Sequence, residues 1–203
     1  MLVKICGITT LDAALTAERE GAAMIGFLFA PSSRRIEPDE AAAIAKQLSP
    51  TVKKVGVFVN ETKETIERIA DVVGLDFIQL HGDEPASFAE SLSKPVIKAF
   101  NIEQVSDEVL ATYPCDYYII DSPGTTYRGG SGKVFDWNRL LNRNIDRSKL
   151  ILAGGLNEAN IAEAIKTVEP AGVDVSSGVE TNGKKDNEKI KRFIHAVNYS
   201  CKS

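Results

Sequence analysis

The 203 residues, 43% hydrophobic and 26% charged, suit one globular core; they exclude a disordered chain and leave little for a second domain. Charge is near balance, 24 basic against 28 acidic residues with no basic run longer than two, which excludes a nucleic-acid footprint but leaves room for an anionic small molecule. No signal-like or membrane-length apolar stretch is present, and three distant cysteines, Cys6, Cys115 and Cys201, form neither a disulfide framework nor a CxxC motif, so a reducing cytoplasm is expected.

The chain opens on a predicted strand, Leu2–Cys6, in which Val3 and Ile5 share one face and Lys4 and Cys6 the other. Cys6 reads either as a buried packing residue or as a reactive thiol, and Lys4 on its own face favours the thiolate, which abstracts a proton without a metal. A helix is expected over 10–20, capped by Thr9 or Thr10, then a strand over Met24–Phe29 followed by Pro31 and Arg34-Arg35. Either arginine could be solvated, or its guanidinium could hold a carboxylate bidentately. Pro38-Asp39-Glu40 starts a second helix over 38–48, and the strand Lys54–Val59 and a helix over 61–73 come next.

The fourth strand, Phe77–Leu80, puts Gln79 and His81 on the face opposite Ile78 and Leu80; His81 has no metal-type partners nearby and reads as a packing or hydrogen-bonding residue. A helix over 84–93 leads to the strand Val96–Ala99, where Lys98 opposes Ile97 and Ala99, and a helix over 103–112 leads to Tyr117–Asp121. Asp121 terminates that strand as a loop cap or as a proton donor in a dehydrated site. The Gly-rich stretch 127–133 lacks the spacing of a phosphate loop and reads as a mobile cover or a plain flexible loop.

A helix over 136–142, a strand Leu150–Leu152, a helix over 157–167 with Asn157 at its start, a strand Gly172–Val175 and a helix over 186–198 capped by Asp186 complete the pattern. The turns after the last two strands hold Gly154, Gly155, Ser176, Ser177 and Gly178, with Asp174 just before; glycine lets backbone N–H groups approach an anion. Eight strand–helix units predict a parallel sheet and a single (β/α)8 barrel over residues 1–203, whose ligands sit at the C-terminal ends of the strands. His195 reads as surface, and no His/Cys/Asp cluster has metal-ligand spacing. A polar strand face carrying Lys4, Cys6, Gln79, His81, Asp121 and Asp174 suggests acid–base isomerisation of an anionic ligand.

Several stretches are similar to phosphoribosylanthranilate isomerases: Val3-Lys4-Ile5-Cys6-Gly7-Ile8-Thr9, Val55-Gly56-Val57-Phe58-Val59-Asn60, Gln79-Leu80-His81-Gly82, 129–137, Ala153-Gly154-Gly155-Leu156 and Asp174-Val175-Ser176-Ser177-Gly178-Val179-Glu180. The resemblance covers nearly the whole chain in order. It implies a (β/α)8 barrel without metal or organic cofactor and an Amadori rearrangement in tryptophan biosynthesis. It also implies Asp121 as acid, Cys6 as base, Arg35 on an anthranilate carboxylate, and Gly155, Ser177, Gly178 and their neighbours on a phosphate. A monomer acting on a phosphorylated small molecule, with no membrane or nucleic-acid partner, is the matching expectation. Two other readings are a histidine-pathway barrel isomerase, whose family uses two aspartates where this first strand ends in Cys6, and a non-catalytic phosphate-binding barrel. A fused neighbouring enzyme is not expected, since the alternation fills the chain.

Overall fold

The computed structural model describes residues 1–121 and 136–201, so the Gly-rich stretch 127–133 lies outside the described residues. Eight parallel strands close on themselves: β1 (Leu2–Cys6), β2 (Met24–Leu28), β3 (Lys53–Phe58), β4 (Phe77–Leu80), β5 (Val96–Asn101), β6 (Tyr117–Asp121), β7 (Leu150–Leu152) and β8 (Gly172–Val175). Each pairs with the next and β8 returns to β1, with Lys4 opposite Asp174 on one side and Met24 on the other. The strands lie within a residue or two of their expected bounds, because short apolar runs between turn residues are a local signal.

The helices are α1 (Leu11–Glu20), α2 (Pro38–Ala45), α3 (Lys63–Val73), α4 (Ala86–Glu90), α5 (Asp107–Thr112), α6 (Ile161–Val168) and α7 (Asn187–Ser200). Their starts have chemical causes. Thr10 accepts from Ala13 N–H, Asp186 accepts from the N–H groups of Glu188 and Lys189, and Glu37 with Glu40 forms a capping box ahead of Pro38. Gly21, at φ 103°, ends α1 in the left-handed conformation that glycine adopts without strain.

Several expectations differ from the structure, among them that α4 and α5 are shorter than the expected 84–93 and 103–112. The sixth helical segment is only a 3₁₀ turn, Trp137–Leu140, because Asp136 binds the Asn138 N–H and the surrounding Asn and Asp residues bond locally instead of propagating a helix. The next helix starts at Ile161 rather than near Asn157, whose side chain accepts from Ala159 N–H in a turn ahead of it. A short antiparallel hairpin, β9 (Glu180–Thr181) with β10 (Lys184–Lys185), was not foreseen between β8 and α7.

Strand alternation divides the core in two. Val3, Ile5, Ile78, Leu80, Ile120, Leu152, Val173 and Val175 pack outward against the helices. Met24, Val55, Ile97, Ala99, Ile119, Ile151 and Ala153 fill the lumen. Toward the C-terminal mouth the lumen face continues as Lys4, Cys6, Gln79, His81, Asp121, Asp174 and Ser176, as the parity of each strand requires.

Lys98 does not join that face. Flanked by lumen residues Ile97 and Ala99, it points to the helix side, where its Nζ donates to Leu80 O (3.3 Å), Gly82 O (2.6 Å) and Glu84 Oε2 (2.8 Å). Both side chains of the pair are 3% exposed. Burial alone would push the Glu84 carboxyl up, but Lys98 and the Asn60 N–H outweigh it and hold it below its ordinary value. Breaking such a pair strands a buried charge, so Lys98→Met should lower unfolding free energy by about 3–5 kcal/mol. Urea unfolding measures this, and a loss under about 1 kcal/mol, the worth of an exposed pair, would show that the pair does not brace β3, β4 and β5.

Candidate active site

The first half of the site is built on β1. Lys4 Nζ meets Asp174 Oδ1 at 3.0 Å across the β1–β8 seam, with the two side chains 1% and 11% exposed. Cys6 is buried beside them. Gly26 faces it from β2: a Cβ there would lie 2.9 Å from Cys6 Sγ and 3.3 Å from Lys4 Nζ, so the missing side chain is what admits both groups. Burial pulls the Lys4 ammonium down, but Asp174 and the thiol outweigh it and raise it overall, so Lys4 is a fixed cation. For Cys6 the balance runs the other way. Burial pushes the thiol up, and the opposing charges of Lys4 and Lys185 do not cancel it, since Asp174 adds to the rise. Lys4 favours the thiolate as expected, yet the thiol rests above its ordinary value.

The second half stands on β4 and β6. Asp121 is buried at the end of β6, and His81 Nε2 lies 3.7 Å from its Oδ2. Gln79 Nε2 is 3.1 Å from His81 Nδ1. A donating amide on Nδ1 puts the ring proton of neutral His81 on Nε2, the nitrogen that faces Asp121. Gln79 and His81, the latter expected as a packing or hydrogen-bonding residue, therefore form a chain that leads toward the carboxyl.

The third part is the pair of turns after β7 and β8. Gly154 and Gly155 have φ of 89° and 65°, and the Gly155 carbonyl accepts from Asn157 Nδ2 (3.2 Å) and Asn160 Nδ2 (3.0 Å). A Cβ on Gly178 would fall 1.9 Å from Leu156 O, so the turns touch backbone to backbone and only glycine fits. Ser177–Val179 is a 3₁₀ turn whose opening N–H groups have no partner within it. Such an arrangement suits an anion with several oxygens.

The arginines separate. Arg34 turns inward and grips Glu180 with Nε at 2.7 Å and Nη2 at 2.9 Å, while Arg35 is half exposed at the rim and pairs with Glu37 at 3.1 Å. Glu180 also accepts from Lys185 Nζ at 2.6 Å, and Lys185, with 3% of its side chain exposed, donates to Ser176 O at 2.9 Å. Burial pulls Lys185 below the usual lysine value against the pull of Glu180. Sequence reasoning missed Gly26, Glu180 and Lys185 as site residues. Gly26 inside an apolar strand was the one available signal, since an interior strand glycine often marks a close approach.

The family described as N-(5'phosphoribosyl)anthranilate (PRA) isomerase matches residues 3–196. The N-(5'-phosphoribosyl)anthranilate isomerase of Oceanobacillus iheyensis is 52% identical over 198 residues, 97% of each chain. The crystal structure of phosphoribosyl anthranilate isomerase from Thermotoga maritima has a TM-score of 0.87 and 42% identity, covering 98% of this chain and all 100% of that one. A further solved isomerase, in complex with reduced 1-(o-carboxyphenylamino)-1-deoxyribulose 5-phosphate, has a TM-score of 0.83 and 40% identity over the same shares, 98% and 100%.

Proposed function

The chain belongs to the N-(5'-phosphoribosyl)anthranilate isomerase family, and from that premise we propose that Cys6 is the base and Asp121 the acid of its reaction. The protein is an aldose–ketose isomerase of tryptophan biosynthesis, converting N-(5'-phosphoribosyl)anthranilate into 1-(2-carboxyphenylamino)-1-deoxyribulose 5-phosphate. The observation that carries the assignment is that Cys6 and Asp121 end β1 and β6 on the lumen face, at the end of the barrel where such enzymes react.

In this reading the Asp121 carboxyl gives its proton to the furanose ring oxygen; the C1–O bond breaks and a Schiff base forms. The Cys6 thiolate then takes the proton from C2, leaving an enolamine that tautomerises to the ketone. Gly154, Gly155, Ser176, Ser177 and Gly178 hold the phosphate through backbone N–H groups, and Asp174, Gln79 and His81 line the sugar. Arg35 exchanges Glu37 for the anthranilate carboxylate, a cheap exchange because an exposed ion pair is worth about 0–1 kcal/mol. The chain works as one barrel domain over 1–203, as a monomer without cofactor, on a small phosphorylated substrate and no nucleic acid. Its free cysteines suit the cytoplasm, and among the described residues no helix is long and apolar enough to cross a membrane.

A steady-state assay following loss of freshly generated substrate tests this, read as kcat/KM against pH. The base must be ionised, and burial raises the thiol, so kcat/KM should climb with pH as the thiolate forms. Lys4 opposes that rise. Lys4→Met should therefore move the climbing limb to higher pH, and an unmoved limb, or one displaced to lower pH, would remove Cys6 from the role of base.

A further inference from the structure

We infer that Lys185 is a positioning residue for the phosphate-binding backbone: by gripping the Ser176 carbonyl it aims the Ser177 N–H at the substrate phosphate. This rests on the phosphate lying between the turns after β7 and β8. In a trans peptide the C=O and the following N–H point in opposite directions. Lys185 Nζ holds Ser176 O at 2.9 Å and touches Ser176 Oγ at 3.3 Å, so the Ser177 N–H is turned the other way. The facing turn has the same construction. Asn157 and Asn160 hold Gly155 O at 3.2 and 3.0 Å, which turns the Leu156 N–H away from them. The turns meet where Gly178 lies against Leu156 O, so each constrains the other.

Lys185 is itself held. Glu180 Oε1 accepts from it at 2.6 Å while Glu180 also takes both nitrogens of the Arg34 fork, and Arg34 packs against Gly7, where a Cβ would lie 2.8 Å from its Cδ. The latch thus runs from the loop after β2, through Glu180, to the end of β8. A lysine near Ser176 would serve as well by contacting the phosphate directly, but its donors are already spent on Ser176 and Glu180 and its side chain is 3% exposed.

The experiment compares wild type, Lys185→Met and Glu180→Gln for kcat, KM and competitive inhibition by inorganic phosphate. Losing a charge-assisted hydrogen bond that orients a binding N–H should raise KM and the phosphate inhibition constant together by about tenfold, with kcat changed less than about threefold when compared on the high-pH plateau, where the Lys185 charge no longer governs ionisation of Cys6. A fall in kcat with KM and phosphate inhibition unchanged would overturn the inference, because a brace for Cys6 or for the fold alone gives that pattern. If Lys185→Met does not fold, Glu180→Gln, which keeps the shape of the latch and removes its charge, decides by the same split. Gly178→Ala separates the two layers of the argument. If it leaves KM unchanged and phosphate does not compete in wild type, the phosphate site itself is wrong; if both respond and Lys185→Met and Glu180→Gln do not, only the role of Lys185 fails.

Discussion

Cys6→Ala should lower kcat by about 10²–10⁴-fold, the usual contribution of a positioned general base, while the protein stays folded. The substitution removes one sulfur from a buried site and leaves Lys4 paired with Asp174, so no charge is stranded. A stability loss of about 1 kcal/mol is expected from the lost packing, and circular dichroism with thermal unfolding would measure it. Cys6→Ser sharpens the test. Serine keeps a hydrogen-bonding group of nearly the same shape, but a hydroxyl ionises far above a thiol, so the serine variant should be as inactive as the alanine one. Wild-type turnover in either variant would end the assignment of Cys6.

Asp121→Asn should lower kcat by a similar factor of about 10²–10⁴ for a different reason. Asparagine keeps the size of the carboxyl and an oxygen that can accept from His81 Nε2–H, so the geometry around the 3.7 Å approach survives. The transferable proton is gone. Binding of a reduced product analogue should change little, and titration calorimetry would show it. The two variants also separate by step. With deuterium at the sugar C2, residual turnover in Asp121→Asn should lose its isotope effect, because ring opening has become limiting. In Cys6→Ser the effect should be full, because proton abstraction limits. The opposite pattern would exchange the two roles, and undiminished turnover in Asp121→Asn would remove the acid altogether.

His81 connects this second result to the fold. It lies two residues beyond Gln79 on the same strand face, so the amide that selects its tautomer comes from its own strand. The sequence makes that adjacency visible but not its consequence, since only the packing of β4 near β6 brings the Nε2 side to Asp121. The Lys4–Asp174 pair illustrates the same limit on a larger scale: each residue stands out as a polar group on an apolar strand, but 170 positions separate them.

Local hydrogen bonding stops the sixth helical segment at a 3₁₀ turn, but at the site the departures from expectation have long-range causes. Strand parity sets Lys98 opposite Ile97 and Ala99 but does not name its partner; Glu84, in the loop after β4, makes its burial on the helix side tolerable. Arg34 and Arg35 are equivalent by composition. Glu180, 146 residues away, takes Arg34 inward and leaves Arg35 at the rim. Lys184-Lys185 looks like a solvated pair until the β9–β10 hairpin turns Lys185 onto Ser176.

From sequence alone came the eight strands, their lumen-facing residues and the positions of Cys6, Asp121 and the two glycine turns, because alternation and turn chemistry are local properties of a chain. The tertiary structure decided the electrical state of those groups. Whether Lys4 or burial prevails at Cys6, which arginine turns inward, and which N–H a carbonyl's partner turns toward the lumen all depend on closure of the barrel, which brings charges from distant strands together and removes the water that would screen them.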